Sequence, residues 1–291
     1  MLRISQVITL PDGRVLGFDE YGERSGLPVF YFHGTPSSRL EFTQFGNEAL
    51  AQTLGLRVIA VDRPGMGLSD FQPGRRIGDW PHDVAALADE LGLERFVVLS
   101  YSGGGPYALA CAWAMPERVI RVGAVSSPAQ FDLPGLTDGI PAENLRVFAM
   151  ARHKPALLRL TYRLGSLLAR YAPERAVANV VAGLPEPDRR VMTSPEFQQG
   201  FLRMFREVLR SGPRGAQWDT CLMVSPWDIG LQQIRLPVRL WHGDADRNAP
   251  LAMGRYLAQT IPGCQIEVFP GEGHISLIVK HAEEILRSLT E

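Results

Sequence analysis

The sequence predicts an α/β fold with a mostly parallel central sheet, helices on both faces of that sheet and an inserted set of helices. Short apolar runs rich in β-branched residues alternate with helical patterns up to residue 130 and again after residue 232. This alternation is typical of a parallel sheet that is covered by helices. The apolar runs show little alternation of apolar and polar residues, which indicates strands buried on both faces.

The elements of the first half follow in a regular order. The turn sequence Pro11-Asp12-Gly13 separates two strand-like stretches and predicts a hairpin. Further elements are predicted from apolar runs and from apolar residues at helical spacing. The predicted strands are residues 4–10, 14–21, 28–32, 57–61, 96–100 and 118–125, and the predicted helices are residues 42–54, 79–91 and about 105–115.

The alternation stops between residues 131 and 232, where we find no convincing strand. Helical patterns predominate there, at residues 144–152, 156–171, 173–182 and 195–210. The alternation resumes with strands at 237–241 and 265–269, a helix near 250–259 and a closing helix to residue 289. We therefore predict a core domain built from residues 1–130 and 233–291, and a helical insertion formed by residues 131–232.

The composition excludes several function classes. The 291 residues carry a formal net charge of −1, which argues against the basic surface that nonspecific nucleic-acid binding needs. The three cysteines are far apart and form no CxxC motif, so neither a disulfide framework nor a zinc site is indicated. We see no signal peptide and no apolar stretch long enough to span a bilayer, so we expect a cytoplasmic protein that binds neither membranes nor nucleic acid.

The segment around Ser102 is the most informative for function. A predicted strand runs into Tyr101-Ser102-Gly103-Gly104 and then directly into a helix. A serine at the tip of so tight a turn projects its hydroxyl above the edge of the sheet, provided that small residues lie two positions before and after it. Ser100 and Gly104 occupy those positions. Ser102 is therefore a candidate nucleophile, and a simple connecting loop is the alternative.

A serine nucleophile needs a base, and the base needs an acid that orients it. His274 follows the predicted strand at 265–269, and Asp246 follows the predicted strand at 237–241. Both lie at the carboxyl ends of strands, where ligands bind in open parallel sheets. The chain order is serine, aspartate, histidine.

Five segments of the chain, in this order, resemble the motifs of the α/β-hydrolase superfamily. They are His33-Gly34-Thr35-Pro36, residues 62–69 (DRPGMGLS), the turn at Ser102, residues 242–246 (HGDAD) and Gly273-His274. The resemblance covers nearly the whole chain. Within the superfamily, the pattern of motifs is similar to that of small carboxylesterases and C–C bond hydrolases. Epoxide hydrolases and haloalkane dehalogenases carry Asp at the position of Ser102, which argues against both.

The resemblance assigns a role to each candidate residue. It implies that Ser102 is the nucleophile, that His274 is the general base and then the general acid, and that Asp246 orients His274. Asp244 is an alternative to Asp246, because it lies two residues earlier in the same loop. Asp132 is a second alternative, because some family members place the acid after the preceding strand.

The resemblance also places the oxyanion hole on the backbone N–H groups of Thr35 and Gly103, which would face the developing negative charge. Ser100 departs from the family pattern, since glycine usually stands there. The run Gly103-Gly104-Gly105 is also unusual, because glycine weakens the start of a helix. Close packing against neighbouring strands is one reason for such a run.

Other polar residues have simpler interpretations. We expect His33 and His242 to be hydrogen-bonded structural residues, and Asp62 and Arg63 to hold their loop. The insertion lies where many family members carry a cap over the active site. We expect most of its large apolar side chains to form the cap's own core and its seam with the main domain, with a few lining the pocket: Phe148, Leu157, Leu160, Tyr162, Leu167, Phe201, Met204, Phe205, Trp218, Met223 and Trp227.

The sequence therefore predicts a serine hydrolase that cleaves a small, mostly apolar ester or related acyl bond. A ligand-binding or signalling protein is one alternative. A lyase, perhydrolase or cofactor-independent oxygenase is another. No metal or organic cofactor is implied, a small-molecule substrate is the expected partner, and nothing indicates the oligomeric state.

Overall fold

The computed structural model describes residues 3–290, and an eight-stranded sheet lies at its centre. The strands are β1 Arg3–Thr9, β2 Val15–Gly22, β3 Leu27–Phe32, β4 Leu56–Val61, β5 Phe96–Tyr101, β6 Val119–Val125, β7 Val238–Gly243 and β8 Gln265–Phe269. Their order across the sheet is β1-β2-β4-β3-β5-β6-β7-β8. β2 pairs antiparallel with both β1 and β4, and the other neighbours are parallel. The predicted fold class is confirmed.

Helices cover both faces of the sheet, and further helices form the insertion. In chain order the helices of residues 3–290 are α1 Glu41–Gln44, α2 Asn47–Thr53, α3 Trp80–Glu90, α4 Gly105–Ala114, α5 Ala142–His153, α6 Pro155–Tyr171, α7 Pro173–Ala182, α8 Glu186–Met192, α9 Pro195–Val208, α10 Arg214–Met223, α11 Leu251–Thr260, α12 His274–Lys280 and α13 Ala282–Arg287. Helices α3, α4 and α11 pack on one face. Helices α1, α2, α12 and α13 pack on the other.

The sheet has an apolar core on each face, because successive side chains of a strand point to opposite sides. In β3, Phe30 and Phe32 join the core under α3 and α4. Val29 and Tyr31, from the same strand, join the opposite core. All four side chains are fully buried. Burial on both faces explains why the sequence of this strand shows no apolar–polar alternation.

Six helices, α5 to α10, lie between β6 and β7. This segment corresponds to the predicted insertion, and its status as a separate domain stays a prediction. Within residues 3–290, no helix combines the length and the apolar character that crossing a membrane requires.

Six helices differ from the sequence prediction: four arise because two predicted helices are each divided, and two were not predicted. The single helix predicted at 42–54 is divided into α1 and α2, because Gly46 adopts a left-handed φ of 75°. The closing helix is likewise divided into α12 and α13 at His281. Helices α8 and α10 were not predicted, since α8 is a short charged segment and α10 begins with Arg-Gly and shows little apolar periodicity.

Candidate active site

The turn after β5 presents the Ser102 hydroxyl. Strand β5 ends at Tyr101, and α4 begins at Gly105. Ser102 lies between them with a left-handed φ of 50°. For a residue other than glycine this conformation costs about 1–3 kcal/mol, and it persists because the surrounding structure enforces it. The turn directs the Ser102 side chain into a cavity at the carboxyl end of the sheet.

The glycines after Ser102 allow two segments, the end of β3 and the loop after β6, to approach the turn. A Cβ atom at Gly104 would lie 2.2 Å from the Phe32 carbonyl oxygen, and one at Gly105 would lie 1.9 Å from Ser127 Oγ. Neither position has room for a side chain. Close packing therefore accounts for a glycine run that weakens the start of the helix.

Ser100 is separated from the cavity. It is fully buried near the end of β5, and its hydroxyl donates to the Gly123 carbonyl at 3.3 Å. A serine is accepted here because its hydroxyl finds an acceptor within the sheet. The structure thus distinguishes the two serines of the motif, because only the hydroxyl of Ser102 contacts a base.

Three predicted residues form one chain of hydrogen bonds. His274 Nε2 lies 2.8 Å from Ser102 Oγ, and His274 Nδ1 lies 2.7 Å from Asp246 Oδ2. The other carboxylate oxygen, Oδ1, accepts the backbone N–H groups of Asn248 at 2.8 Å and Ala249 at 2.9 Å. The carboxylate is therefore fixed on one side and presented to the imidazole on the other.

The alternative acids do not contact His274. Asp244 is exposed, and its Oδ1 accepts the Gly271 N–H at 2.7 Å. Asp132 is exposed at the surface. Asp244 and Asp246 are two positions apart in the same loop, but only the Asp246 side chain points towards the imidazole.

The two other histidines of the motifs are buried and hydrogen-bonded. His33 Nδ1 lies 2.8 Å from the Gly34 carbonyl, and its Nε2 accepts the Arg63 N–H at 3.2 Å. His242 Nε2 lies 2.7 Å from the Ala249 carbonyl. Burial lowers the pKa of both rings, so each is neutral and structural, as expected.

The electrostatic surroundings favour a basic His274. Burial alone would lower the pKa of His274, but the nearby carboxylates, Asp246 foremost among them, together raise it. Conversely, burial alone would raise the pKa of Asp246, but His274 lowers it below the ordinary carboxyl value. Asp246 therefore stays ionised and supports positive charge on the imidazole when His274 accepts a proton.

The loop after β3 lies against the serine turn. A Cβ atom at Gly103 would come within 3.1 Å of the Thr35 backbone nitrogen, so the two predicted oxyanion donors belong to segments in direct contact. Thr35 and Ser102 line the same cavity. In the part of the chain that the structure describes, no hydrogen bond engages the Thr35 N–H. That N–H is free to hold an oxygen atom of a ligand.

The predicted loop-holding role of Asp62 and Arg63 is confirmed. Asp62 is fully buried, forms an ion pair with Arg39 at 2.8 Å and accepts the Leu68 N–H at 2.9 Å. The Arg63 guanidinium donates to the carbonyl groups of His33 and Gly34. Arg63 therefore fixes the backbone directly before Thr35.

Sequence reasoning missed Asp219, a fully buried residue of α10. Its carboxylate forms ion pairs with Arg63 at 2.8 Å and Arg75 at 2.6 Å, and it accepts the hydroxyls of Thr35 and Tyr107. Burial alone would raise the pKa of Asp219, but the two guanidinium groups hold it far below the usual range. The helical insertion thereby contacts the loop that carries Thr35 through a buried charge cluster, formed by Asp219, Arg63 and Arg75.

Sequence reasoning also missed Asp188 of α8, which is fully buried. Its carboxylate accepts the backbone N–H groups of His274, Ile275 and Ser276 at 2.8–3.0 Å. The insertion therefore contacts the histidine loop as well. No local pattern marks either acid, because all their partners lie in distant parts of the chain.

The cavity above Ser102 has a volume of about 300 Å³ and mostly apolar walls. Several of the large side chains predicted in the insertion line it: Phe148, Tyr162, Phe201, Met204 and Met223. Leu157, Leu160 and Leu167 lie instead on the outer side of α6, with 45–49% of their surface exposed. These three leucines are exceptions to the expectation that most of the large apolar residues form the core of the insertion or its seam with the main domain.

The described residues, 3–290, contain no group of three or more histidine, cysteine or acidic side chains that could hold a metal ion. The three cysteines, Cys111, Cys221 and Cys264, are free thiols.

Comparison with known proteins gives consistent similarities. The model of the alpha/beta hydrolase family matches residues 29–287. A non-heme chloroperoxidase from Streptomyces lividans is 37% identical over 255 residues, which cover 84% of this chain and 83% of that protein. A 2-hydroxy-6-oxo-2,4-heptadienoate hydrolase from Pseudomonas putida is 29% identical over 255 residues, with 86% and 83% covered.

A solved structure supports the fold. A hydrolase from Pseudomonas aeruginosa superposes with a TM-score of 0.71, and the match covers 98% of both chains. The two sequences are 18% identical. At this level of identity the similarity concerns the architecture of the chain.

Proposed function

This chain belongs to the alpha/beta hydrolase family, and from that premise we propose that it is a carboxylesterase-like serine hydrolase that forms an acyl-enzyme on Ser102. The observation that carries the proposal is the continuous hydrogen-bond chain from Ser102 through His274 to Asp246. A serine hydroxyl is a weak nucleophile unless a base removes its proton, and this geometry supplies the base.

The proposed reaction has two acyl-transfer steps. Ser102 Oγ attacks the ester carbonyl while His274 Nε2 takes its proton, and the carbonyl π electrons move to the oxygen. The backbone N–H groups of Thr35 and Gly103 hold that oxyanion. When the intermediate collapses, the C–O bond breaks and His274 protonates the departing alcohol. Water, deprotonated by His274, then attacks the acyl-enzyme. When this second intermediate collapses, the bond from the acyl carbon to Ser102 Oγ breaks, His274 returns its proton to Oγ, and the acid is released.

The cavity supports a small, mostly apolar ester. Its volume of about 300 Å³ lies at the lower end of the range for small-molecule pockets. Phe148, Phe201 and Met204 contribute apolar wall surface, which favours a short acyl or alcohol group. Polar groups line it too, among them Glu41, Gln44 and Asn248.

We further propose that residues 131–232 act as a cap over this site. Side chains from α5, α6, α9 and α10 line the cavity, so the insertion forms part of its wall. Covering the site excludes water and strengthens the electrostatic interactions within it. The buried carboxylates of Asp188 and Asp219 connect this segment to the catalytic loops.

Labelling with a fluorophosphonate is expected to add one phosphonyl group to the protein, on Ser102. The probe reacts with serines that a neighbouring base activates. Intact-mass spectrometry of the wild type should show a single adduct, and Ser102→Ala should show none. Ser100→Ala is the matched control and should be labelled like the wild type, because Ser100 is held in the sheet. A folded, unlabelled wild type would instead support a pocket that binds a ligand without turnover.

The pH dependence of kcat/KM should report the state of His274. The ring must be neutral to accept the Ser102 proton, and the pKa of His274 is raised above its ordinary value of 6.5. Activity should therefore decrease as the pH falls, with the midpoint of the acid limb above pH 6.5. Hydrolysis of p-nitrophenyl butyrate between pH 5 and 9, roughly the range in which histidine titrates, measures it. An acid limb below the ordinary histidine value would contradict this assignment.

A further inference from the structure

A buried carboxylate of the insertion holds the backbone of the proposed base. Asp188 Oδ2 accepts the His274 N–H at 3.0 Å. The other oxygen, Oδ1, accepts the N–H groups of Ile275 at 2.9 Å and Ser276 at 2.8 Å. Helix α12 begins at His274, so these are the first N–H groups of that helix, which have no partners within it. One side chain from α8 satisfies all three.

The approach of Asp188 requires a glycine at position 273. A Cβ atom there would lie 2.4 Å from Asp188 Oδ1, too close for any side chain. The carbonyl of His274 accepts a hydrogen bond from the Tyr101 hydroxyl, at 3.2 Å. The peptide groups on both sides of the His274 Cα are therefore fixed, one by the insertion and one by β5. Because the direction of the imidazole depends on that backbone, Asp188 helps to determine the distance from His274 Nε2 to Ser102 Oγ.

The Asp188 carboxylate also contributes negative charge beside the imidazole. Asp246, Asp188 and Glu41 all favour protonated His274, and burial opposes it. Two further groups lie near the ring: the buried His242, whose pKa a charged His274 lowers, and the Tyr101 ring, whose centroid lies 5.2 Å away. Asp246 bonds the imidazole directly, whereas Asp188 acts from the backbone side. Removing the charge of Asp188 would therefore make His274 easier to deprotonate and leave its direct partner in place.

We propose that Asp188 is a positioning residue, through which the docked helical insertion holds His274 in place as the catalytic base. The inference rests on the proposed function and extends it. If α8 moved away from the core, the histidine loop would lose three hydrogen bonds and one neighbouring negative charge at the same time. A docked insertion is then a condition for an active base, in addition to forming the cavity wall.

The test is Asp188→Asn, which keeps the size of the side chain and removes its charge. We expect the rate of phosphonylation of Ser102 by a fluorophosphonate to fall at least about tenfold on the high-pH plateau, as for other misplaced catalytic groups. We also expect the acid limb of the rate to move to lower pH, because the His274 pKa falls when a neighbouring negative charge is lost. A purely structural role would lower the plateau without moving the limb.

Three further variants complete the experiment. Glu186→Gln removes an exposed acid of the same helix, which pairs with Arg190, and should behave like the wild type. Asp188→Glu keeps the charge, so its acid limb should stay at the wild-type pH even if the plateau falls. Asp188→Ser is used if Asp188→Asn does not fold, and it should show the same displaced limb.

The outcomes distinguish a failure of the role proposed for Asp188 from a failure of the proposed hydrolase function. An acid limb of Asp188→Asn that coincides with the wild-type limb would overturn the role of Asp188 and leave the hydrolase proposal intact. Failure of both Asp188→Asn and Asp188→Ser to fold would assign a structural role alone and would overturn it too. A folded wild type that does not react with the probe would overturn the proposed function, and this inference with it.

Discussion

Ser102→Ala is expected to lower kcat for p-nitrophenyl butyrate by about 10⁵–10⁶-fold, the scale measured when a serine nucleophile is removed. The substitution deletes the atom that attacks the carbonyl, while the remaining groups can still bind the ester. The free energy of unfolding should change little, because the deleted hydroxyl faces the cavity and its partner is one imidazole nitrogen. Steady-state kinetics with the variant, together with urea unfolding, measure both quantities.

The three residues should also act as one unit. His274→Ala should cost about as much as Ser102→Ala, and the double variant should lose little more, because a missing base and a missing nucleophile disable the same step. Asp246→Asn should lower kcat by about 10⁴-fold, since an amide favours the wrong imidazole tautomer. Independent, multiplicative losses in the double variant, or turnover of Ser102→Ala within tenfold of the wild type, would contradict the acyl-enzyme mechanism.

Asp219→Ala is expected to reduce the free energy of unfolding by about 3–5 kcal/mol, the cost of leaving a buried charge without its partner. In the wild type, Asp219 neutralises part of the charge of Arg63 and Arg75, and all three side chains are almost fully buried. The variant retains both cations and has no carboxylate beside them. Urea unfolding followed by circular dichroism gives the difference.

The same variant should lose activity, because Asp219 and its arginine partners support the loop that carries Thr35, a proposed oxyanion donor. Arg63 holds the carbonyl groups of His33 and Gly34, and Thr35 loses a hydrogen-bond acceptor for its hydroxyl. Loss of one oxyanion donor typically lowers kcat by about 10²–10³-fold, so we expect kcat to fall by up to this factor. KM should change less, because the apolar wall that binds the ester is not altered.

Glu207→Ala is the matched control for Asp219→Ala. Like Asp219, Glu207 is an acid of the insertion that forms an ion pair with a core arginine, here Arg39 at 2.7 Å. In the variant, Arg39 would keep its ion pairs with Asp19 at 3.0 Å and Asp62 at 2.8 Å, and Glu207 is partly exposed. We therefore expect a loss of about 1 kcal/mol or less. Equal losses for the two variants would refute the special role assigned to the Asp219 cluster.

The pH dependence of stability gives a second check on Asp219. Its folded-state pKa lies below the ordinary carboxyl value of 3.8, so the folded protein releases this proton more readily than the unfolded chain. The stabilisation is therefore complete above the unfolded pKa and is lost as the pH falls towards the folded one. The difference in unfolding free energy between wild type and Asp219→Ala should be constant at neutral pH and should narrow below about pH 4.

Several elements were predictable because their signals are local. The strands of the sheet, the turn at Ser102 and the positions of His274 and Asp246 after β8 and β7 all follow from patterns within a few residues. Other features depended on the direction in which a side chain points. Asp244 and Asp246 occupy the same loop, and which carboxylate faces the imidazole depends on the path of the backbone. Helices α8 and α10 were missed because their short sequences show little periodicity.

The sequence by itself determined the fold class, the chemistry available at the serine turn and the order of the proposed catalytic residues, since each depends on adjacent positions. The tertiary structure alone decided how the insertion is joined to the site. Asp188 contacts a residue 86 positions away, and Asp219 contacts one 156 positions away. An acidic residue in a helix is usually exposed to water, because burying its charge without a partner is unfavourable. Asp188 and Asp219 are buried because hydrogen-bond and ion-pair partners from distant segments surround them, and no local sequence pattern indicates those partners.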